Sequence, residues 1–439
     1  LDGLTAEHLQ HCHPALISIL NKFFNLLIKF NYVPKGFGTS YTVPLPKNSY
    51  SVASKSLSVE DFRGISISAV ISKVFEKCIL DRYQRFFETS DSQFGFKKGL
   101  SCSHAIFSVK CVVDEFVNNG STINLCCLDL RKAFDKMNHH GLFIKLMDRM
   151  LPVNLLATLE YWFSICFTSV RWGDCYSNFI SLKCGVRQGG VLSAYFFASY
   201  IDGIISVIHR SNFGCYIGAV PVNIFLYADD IILLAPSVNA LQKMLTLCEH
   251  YLKYVDMALN ANKSVCIRFG RCFKYECTQL ISLNGEVLCW VDTCRYLGVY
   301  FVSSKKFKCS LSCNKRSFYR SFNCIFSKIG WRASEEILIR LLFSKCLPIF
   351  VYGLDACPLT KTHTRLLDFV VDRCFMKIFK TKSIDIVNIC QCNFNVQKAS
   401  SVALNRKRRF LYGCLKNDNN NIMLKLLEPY ARKELMSLS

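Results

Sequence analysis

Val222-Asn223-Ile224-Phe225-Leu226-Tyr227-Ala228-Asp229-Asp230-Ile231-Ile232-Leu233-Leu234 sets two adjacent carboxylates between two apolar runs. The runs read as the paired strands of a β-hairpin with Asp229 and Asp230 at its turn. Burying unpaired like charges costs on the order of several kcal/mol, and a bound cation removes that cost. Neighbouring strand residues point to opposite faces unless a turn re-aims them, so at a hairpin tip both acids approach one ion. Asp230, of opposite strand parity to Asp229, is expected to contribute more indirectly. Taken alone, the pair is equally well a solvated turn.

A third carboxylate decides between these readings. Asn124-Leu125-Cys126-Cys127-Leu128 is a short apolar run, and Asp129 follows it. It reads as a buried strand ending in an acid. Two strands that each deliver carboxylates make a site for two divalent cations. Hard oxygen ligands suit Mg²⁺, which keeps several waters and takes one or two carboxylates per ion. Two such ions about 3.5–4 Å apart stabilise the attacking and leaving oxygens of nucleotidyl transfer.

Working outward from these acids, further segments fall into one order. Leu1-Asp2-Gly3-Leu4-Thr5-Ala6-Glu7-His8-Leu9 opens the chain, then Phe62-Arg63-Gly64-Ile65-Ser66 and Gln93-Phe94-Gly95-Phe96-Lys97-Lys98-Gly99. Asp129-Leu130-Arg131-Lys132-Ala133-Phe134-Asp135 and Gly185-Val186-Arg187-Gln188-Gly189-Gly190-Val191-Leu192-Ser193 precede the hairpin. Leu259-Asn260-Ala261-Asn262-Lys263-Ser264 and Tyr296-Leu297-Gly298 follow it. The ordered set resembles the reverse transcriptase of a non-LTR (LINE-type) retrotransposon. Two positions depart from that pattern: Gly64 stands after Arg63, and Ala194 after Ser193, where the family usually has Pro. Neither change removes a metal ligand.

The resemblance implies an α+β right-hand polymerase fold with fingers, palm and a helical thumb. It implies an RNA-directed DNA polymerase, a nucleotidyltransferase that extends a primer 3′-hydroxyl on an RNA template with deoxynucleoside triphosphates. Asp129, Asp229 and Asp230 would be catalytic and would hold two Mg²⁺ ions. Lys263 would be a general acid toward pyrophosphate. Arg63 and Lys97 (or Lys98) would clamp the triphosphate, since a guanidinium suits bidentate phosphate binding. Phe134 would pack under the sugar and exclude a 2′-hydroxyl. Gln188 and Gly189 would contact template and nucleotide, and Tyr227 would sit beside the primer end. Tyr296, Leu297 and Gly298 would form the primer grip. The implied partners are an RNA template, a DNA primer, deoxynucleotides and the element RNA, in a ribonucleoprotein of the cytoplasm or nucleus. The alternative of a different class is a catalytically dead or domesticated nucleic-acid-binding protein. A rival enzyme is an RNA-dependent RNA polymerase, against which Phe134 and Ala228 weigh.

Composition agrees with a polyanionic partner. The 439 residues include 54 Lys and Arg against 32 Asp and Glu, a net charge of +22. The excess is uneven: residues 303–439 hold 25 basic against 9 acidic residues, and residues 1–302 hold 29 against 23. The expected organisation is therefore a helical segment at 1–27, a fingers and palm region at 28–302, and a basic thumb-like region at 303–439. Arg406-Lys407-Arg408-Arg409 is its densest cluster and a candidate phosphate surface.

The 25 cysteines are scattered through apolar runs and read as buried free thiols of a reducing compartment. Cys272 and Cys277, Cys309 and Cys313, and Cys390 and Cys392 are not completed to zinc fingers by any further Cys or His pair at the usual spacing. The start is acidic and polar and lacks Met, which reads as a fragment of a larger polyprotein with no secretory signal. Charge interrupts the longest apolar stretches, so no membrane span is expected.

Periodicity predicts helices over 4–30, 70–87, 103–117, 141–150, 152–163, 192–209 and 239–258, and over most of 311–439. Strands are expected at 41–46, before Asp129, at 169–176 and 179–183 around a turn, in the Asp229 hairpin, and in alternation to about 302. Residues 48–60 read as a Ser-rich loop. Strands with hairpins beside packed helices make an α+β palm.

Overall fold

The computed structural model describes residues 3–47, 57–416 and 421–438. Leu1 and Asp2 of the opening segment, and 48–56 of the Ser-rich loop, lie outside the described residues. The chain builds two compact units from interleaved stretches. Leu1–Phe96, Leu130–Arg210 and Leu247–Asn260 make one; Lys97–Asp129, Ser211–Thr246 and Ala261–Ser439 make the other.

The first unit holds a five-stranded sheet. Thr39–Pro46 pairs antiparallel with Phe62–Ser68 on one side and parallel with Phe167–Trp172 on the other. Its helices include Ala15–Lys29, Val70–Arg82, His139–Asp148 and Val153–Ser164. Aromatic rings close their core: Phe75 stacks on Trp162 at 5.6 Å between centroids, and the Trp162 indole N–H donates to the Phe37 carbonyl at 3.0 Å. A buried indole thus keeps a partner for its one polar atom.

The second unit carries a six-stranded sheet in the order Leu280–Ile281, Val287–Trp290, Val265–Phe269, Ile123–Leu128, Asp230–Ala235, Ile224–Tyr227. The central strand Ile123–Leu128 is antiparallel to both neighbours. Its run is apolar on both sides because both faces are covered, which is why it shows no alternation. A three-stranded sheet of Thr293–Tyr296, Val299–Val302 and Cys309–Ser310 follows. The helices Ser312–Ile329, Lys361–Ile378, Ala399–Leu415 and Ile422–Met436 fill the remainder, three of them around a core that includes Phe318, Phe350, Leu367 and Phe375.

Several elements differ from the sequence reading. The helix expected over 239–258 is Val238–Tyr254, closed by Asp256 in the left-handed region at φ 52°. The 4–30 helix is two pieces, Ala6–Gln10 and Ala15–Lys29, parted before Pro14. The 192–209 helix divides at Asp202, whose carboxylate accepts from the Ser90 N–H at 2.9 Å and pairs with Arg149 at 3.1 Å. The hairpin turn expected near 177–178 lies earlier, at Gly173-Asp174, because Trp172 pairs with Cys175.

Candidate active site

The three acids stand at neighbouring strand ends of the second unit. Ile231 pairs with Leu128, so one residue further along each strand Asp230 and Asp129 stand next to each other. Asp230 also pairs with Tyr227, which leaves Ala228 and Asp229 as a two-residue turn. Ala228 sits at φ 58°, as the first central residue of a type II′ turn requires, and this is strained for a residue other than Gly. The strain belongs to a turn that presents Asp229 at its tip. All three acids are half-buried. Among the described residues, no group of three His, Cys, Asp or Glu side chains is gathered as a metal cluster. The donor set itself is all oxygen, which fits a hard divalent ion.

The residues around this hairpin hold its backbone. The Asp129 N–H donates to the hydroxyl of buried Ser264 at 3.0 Å. The fourth segment is thus anchored by its serine, while Lys263 beside it is exposed. Tyr227 is half-buried; burial pushes its phenol up, and the Cys102 thiol adds to the shift. Tyr296 is buried, and among the described residues its hydroxyl has no hydrogen-bond partner. Burial and the nearby Asp230 carboxylate push that phenol up. Of the grip segment, Leu297 and Gly298 form the half-buried tip, between paired Tyr296 and Val299.

The other candidate residues lie in the first unit, except Lys97. The Val186 N–H donates to the Phe134 carbonyl at 2.8 Å, and the Gly185 N–H to the Met137 carbonyl at 2.8 Å. The Gln188 side-chain amide donates to Asp135 Oδ1 at 3.1 Å. The segment around Phe134 and the glycine-rich segment are therefore one hydrogen-bonded piece. Phe134 is half-buried and stacks on Phe197 at 4.5 Å, so it is in part a core aromatic. The Ser66 N–H donates to the Gln188 carbonyl at 2.7 Å. Gly189 follows at φ 127°, where an added Cβ would meet the Ser66 carbonyl oxygen at 2.4 Å. Only Gly tolerates both that conformation and that approach. Arg63 is exposed, three residues before Ser66 on the same strand Phe62–Ser68; Lys97 is half-buried and Lys98 exposed in the second unit. The Arg187 guanidinium donates to the Phe37 carbonyl at 3.1 Å.

Three supporting residues escaped the sequence reading. Glu76 is buried, and its carboxylate accepts from the Leu192 N–H at 2.8 Å. Burial pushes its pKa up against the opposing pull of that N–H and of Arg187. The Tyr352 hydroxyl donates to the Leu297 carbonyl at 3.1 Å, and the Cys102 thiol adds to the upward shift that burial gives the Tyr227 phenol. None belongs to a motif, and no local pattern marks them.

A sheet that delivers acids from a central antiparallel strand and from the adjoining hairpin tip defines the palm of a template-directed polymerase. The chain belongs to the reverse transcriptase (RNA-dependent DNA polymerase) family, whose model matches residues 45–301. Its relatives are non-LTR retrotransposon proteins, as the motifs implied. It is 24% identical over 396 residues to the RNA-directed DNA polymerase from mobile element jockey of Drosophila funebris, covering 85% of this chain and 41% of that protein. It is 25% identical over 318 residues to the Pol polyprotein from the retrotransposable element R2DM of Drosophila melanogaster, covering 70% and 29%. The chain thus spans less than half the length of either relative. Among solved structures, apo telomerase from Candida tropicalis superposes with a TM-score of 0.47 at 12% identity, over 97% of this chain and 70% of that one. The fold class is the α+β right-hand polymerase class expected. No helix of the described residues is long and apolar enough to cross a membrane.

Proposed function

We propose that this chain is an RNA-directed DNA polymerase that extends a primer 3′-hydroxyl on an RNA template with deoxynucleoside triphosphates. The observation that carries the reading is the strand register that makes Asp129 and Asp230 neighbours, with Asp229 on the adjoining turn. These three carboxylates would hold two Mg²⁺ ions. Bound there, the ions would supply charge stabilisation to the attacking and leaving oxygens. The chain's own residues do the rest. Ser264 fixes the backbone of Asp129. The strained Ala228 turn presents Asp229. Lys263, exposed beside Ser264, would donate a proton to the leaving pyrophosphate.

Arg63 and Lys97 would bind the triphosphate, and Gln188 and Gly189 the template and nucleotide. Phe134, stacked on Phe197, would pack under the sugar and exclude a 2′-hydroxyl. Tyr227 would stand at the primer end, and the Tyr296-Leu297-Gly298 turn would support the primer backbone. Residues 1–27, 28–302 and 303–439 would serve as leading segment, fingers with palm, and thumb. The element RNA would be the natural template, in a cytoplasmic or nuclear ribonucleoprotein.

The test is primer extension with the purified chain. Asp129→Ala and Asp229→Ala should abolish extension and leave primer–template affinity nearly unchanged, because affinity comes from basic residues elsewhere. Extension by either variant would overturn the assignment. Binding without extension by the unaltered chain would instead identify a nucleic-acid-binding protein that has lost catalysis.

A further inference from the structure

Tyr352 follows the short helix Leu347–Phe350, beyond the region matched by the family model. Its hydroxyl donates to the Leu297 carbonyl at 3.1 Å. Its ring covers Gly298 so closely that a Cβ there would lie 2.9 Å from Tyr352 Cε1. Leu297 at φ 44° and Gly298 at φ 82° are the two central residues of a type I′ turn. For Leu this left-handed conformation costs about 1 kcal/mol or more, so the turn persists only if its surroundings hold it. Tyr352 supplies both a donor and a packed ring.

Burial and then the Cys102 thiol push the phenols of both Tyr352 and Tyr227 up. Cys102 opens the helix Cys102–Asn118, and the next residue, Ser103, donates to Asp355 Oδ2 at 2.8 Å. The Asn314 amide donates to the Tyr352 carbonyl at 3.2 Å. Tyr352 is therefore fixed by its own backbone where it packs on the 297–298 turn.

We infer that Tyr352 is a positioning residue, which through its ring over Gly298 and its hydrogen bond to the Leu297 carbonyl holds the Tyr296-Leu297-Gly298 turn in its left-handed conformation. The inference rests on the polymerase reading for its kinetic consequence, since that turn would support the primer end. Tyr352 touches neither substrate nor metal in this role. It acts by keeping the spacing that in-line attack requires, where small misplacements lower the rate strongly.

Tyr352→Phe keeps the ring over Gly298 and removes the hydroxyl. It should lower kcat for single-nucleotide extension about three- to tenfold, the worth of one net hydrogen bond. The KM for deoxynucleotide and the primer–template Kd should stay within about twofold, the split that separates positioning from binding. Gly298→Ala should be more damaging, and less so when combined with Tyr352→Ala, because the ring that the new Cβ meets is gone. Hydrogen exchange of residues 296–300 gives a readout independent of activity: Tyr352→Phe should speed it. Unchanged exchange in Tyr352→Phe, or unchanged kcat in an active chain, overturns the inference. If the unaltered chain extends no primer, the polymerase reading fails, and the exchange result alone still decides whether Tyr352 holds the turn.

Discussion

Replacing Glu434 with Ala tests whether the last helix is a structural part of its unit or a solvated basic appendage. Glu434 lies on Ile422–Met436 and accepts from Lys407 at 2.7 Å and from Lys110 at 3.0 Å. The three side chains are 17%, 1% and 10% exposed, so both ammonium groups are out of water. Lys110 keeps Asp114 at 3.2 Å when Glu434 is removed. Lys407 keeps the Cys357 carbonyl, which carries no charge. Removing one partner of a buried pair costs about 3–5 kcal/mol. For a cooperative unit of this size that lowers Tm by roughly 6–20 °C. Glu428, paired with Arg432 at 2.7 Å on the same helix, is 43% exposed and serves as control. Glu428→Ala should cost within about 1 kcal/mol. Thermal unfolding followed by circular dichroism compares the two variants directly. Lys407→Met combined with Glu434→Met should lose less than Glu434→Ala, because no ammonium is left stranded at position 407.

The pH dependence has a definite sign. Burial alone would raise the Glu434 pKa, but Lys110 and Lys407 outweigh it and hold the carboxyl below its usual 4.5. A carboxylate depressed on folding contributes stability above its unfolded pKa and loses it as pH falls through the folded value. The gap between the unaltered chain and Glu434→Ala should thus be full above pH 4.5 and shrink below it. Equal melting of Glu434→Ala and Glu428→Ala at neutral pH would refute the reasoning.

Three further outcomes are expected. Phe134→Val should raise ribonucleotide relative to deoxynucleotide incorporation, read as the ratio of kcat/KM for the two sugars. It should also cost stability, because the 4.5 Å stack on Phe197 disappears; an unchanged ratio would leave Phe134 a core residue only. Gly189→Ala should lower both melting temperature and extension, since its Cβ would meet the Ser66 carbonyl oxygen at 2.4 Å, and a fully active, equally stable variant would contradict that packing. Replacing exposed Arg406, Arg408 and Arg409 with Gln should weaken primer–template binding and flatten the slope of log K against log salt by about 0.7–0.9 for each phosphate that is no longer neutralised, as measured by anisotropy titrations at several salt concentrations.

What was legible in the sequence is what the chain encodes locally. Each acid stands at the end of an apolar strand or on the turn between two, and each strand is short enough for its pattern to be read in isolation, so Asp129, Asp229 and Asp230 stand out. The residues that hold them were not legible, because their partners are remote. Ser264 meets an amide 135 residues away, Glu76 one 116 residues away, and Tyr352 a carbonyl 55 residues away. A hydroxyl or a carboxylate has no periodicity that points to such a partner. Arg406-Lys407-Arg408-Arg409 is different, because there a signal was present and was read as charge alone. Ala403, Lys407, Leu411 and Cys414 recur at helical spacing and are all buried, so Lys407 belongs to an inward stripe while the three arginines face out. A charge count assigns every lysine to solvent; helical phase corrects it, and shows which basic residues remain available to a phosphate backbone. The excess of basic residues in 303–439 therefore serves two ends. Its exposed arginines remain for polyanions, while Lys407, with Glu434 and Lys110, ties three helices of the second unit together.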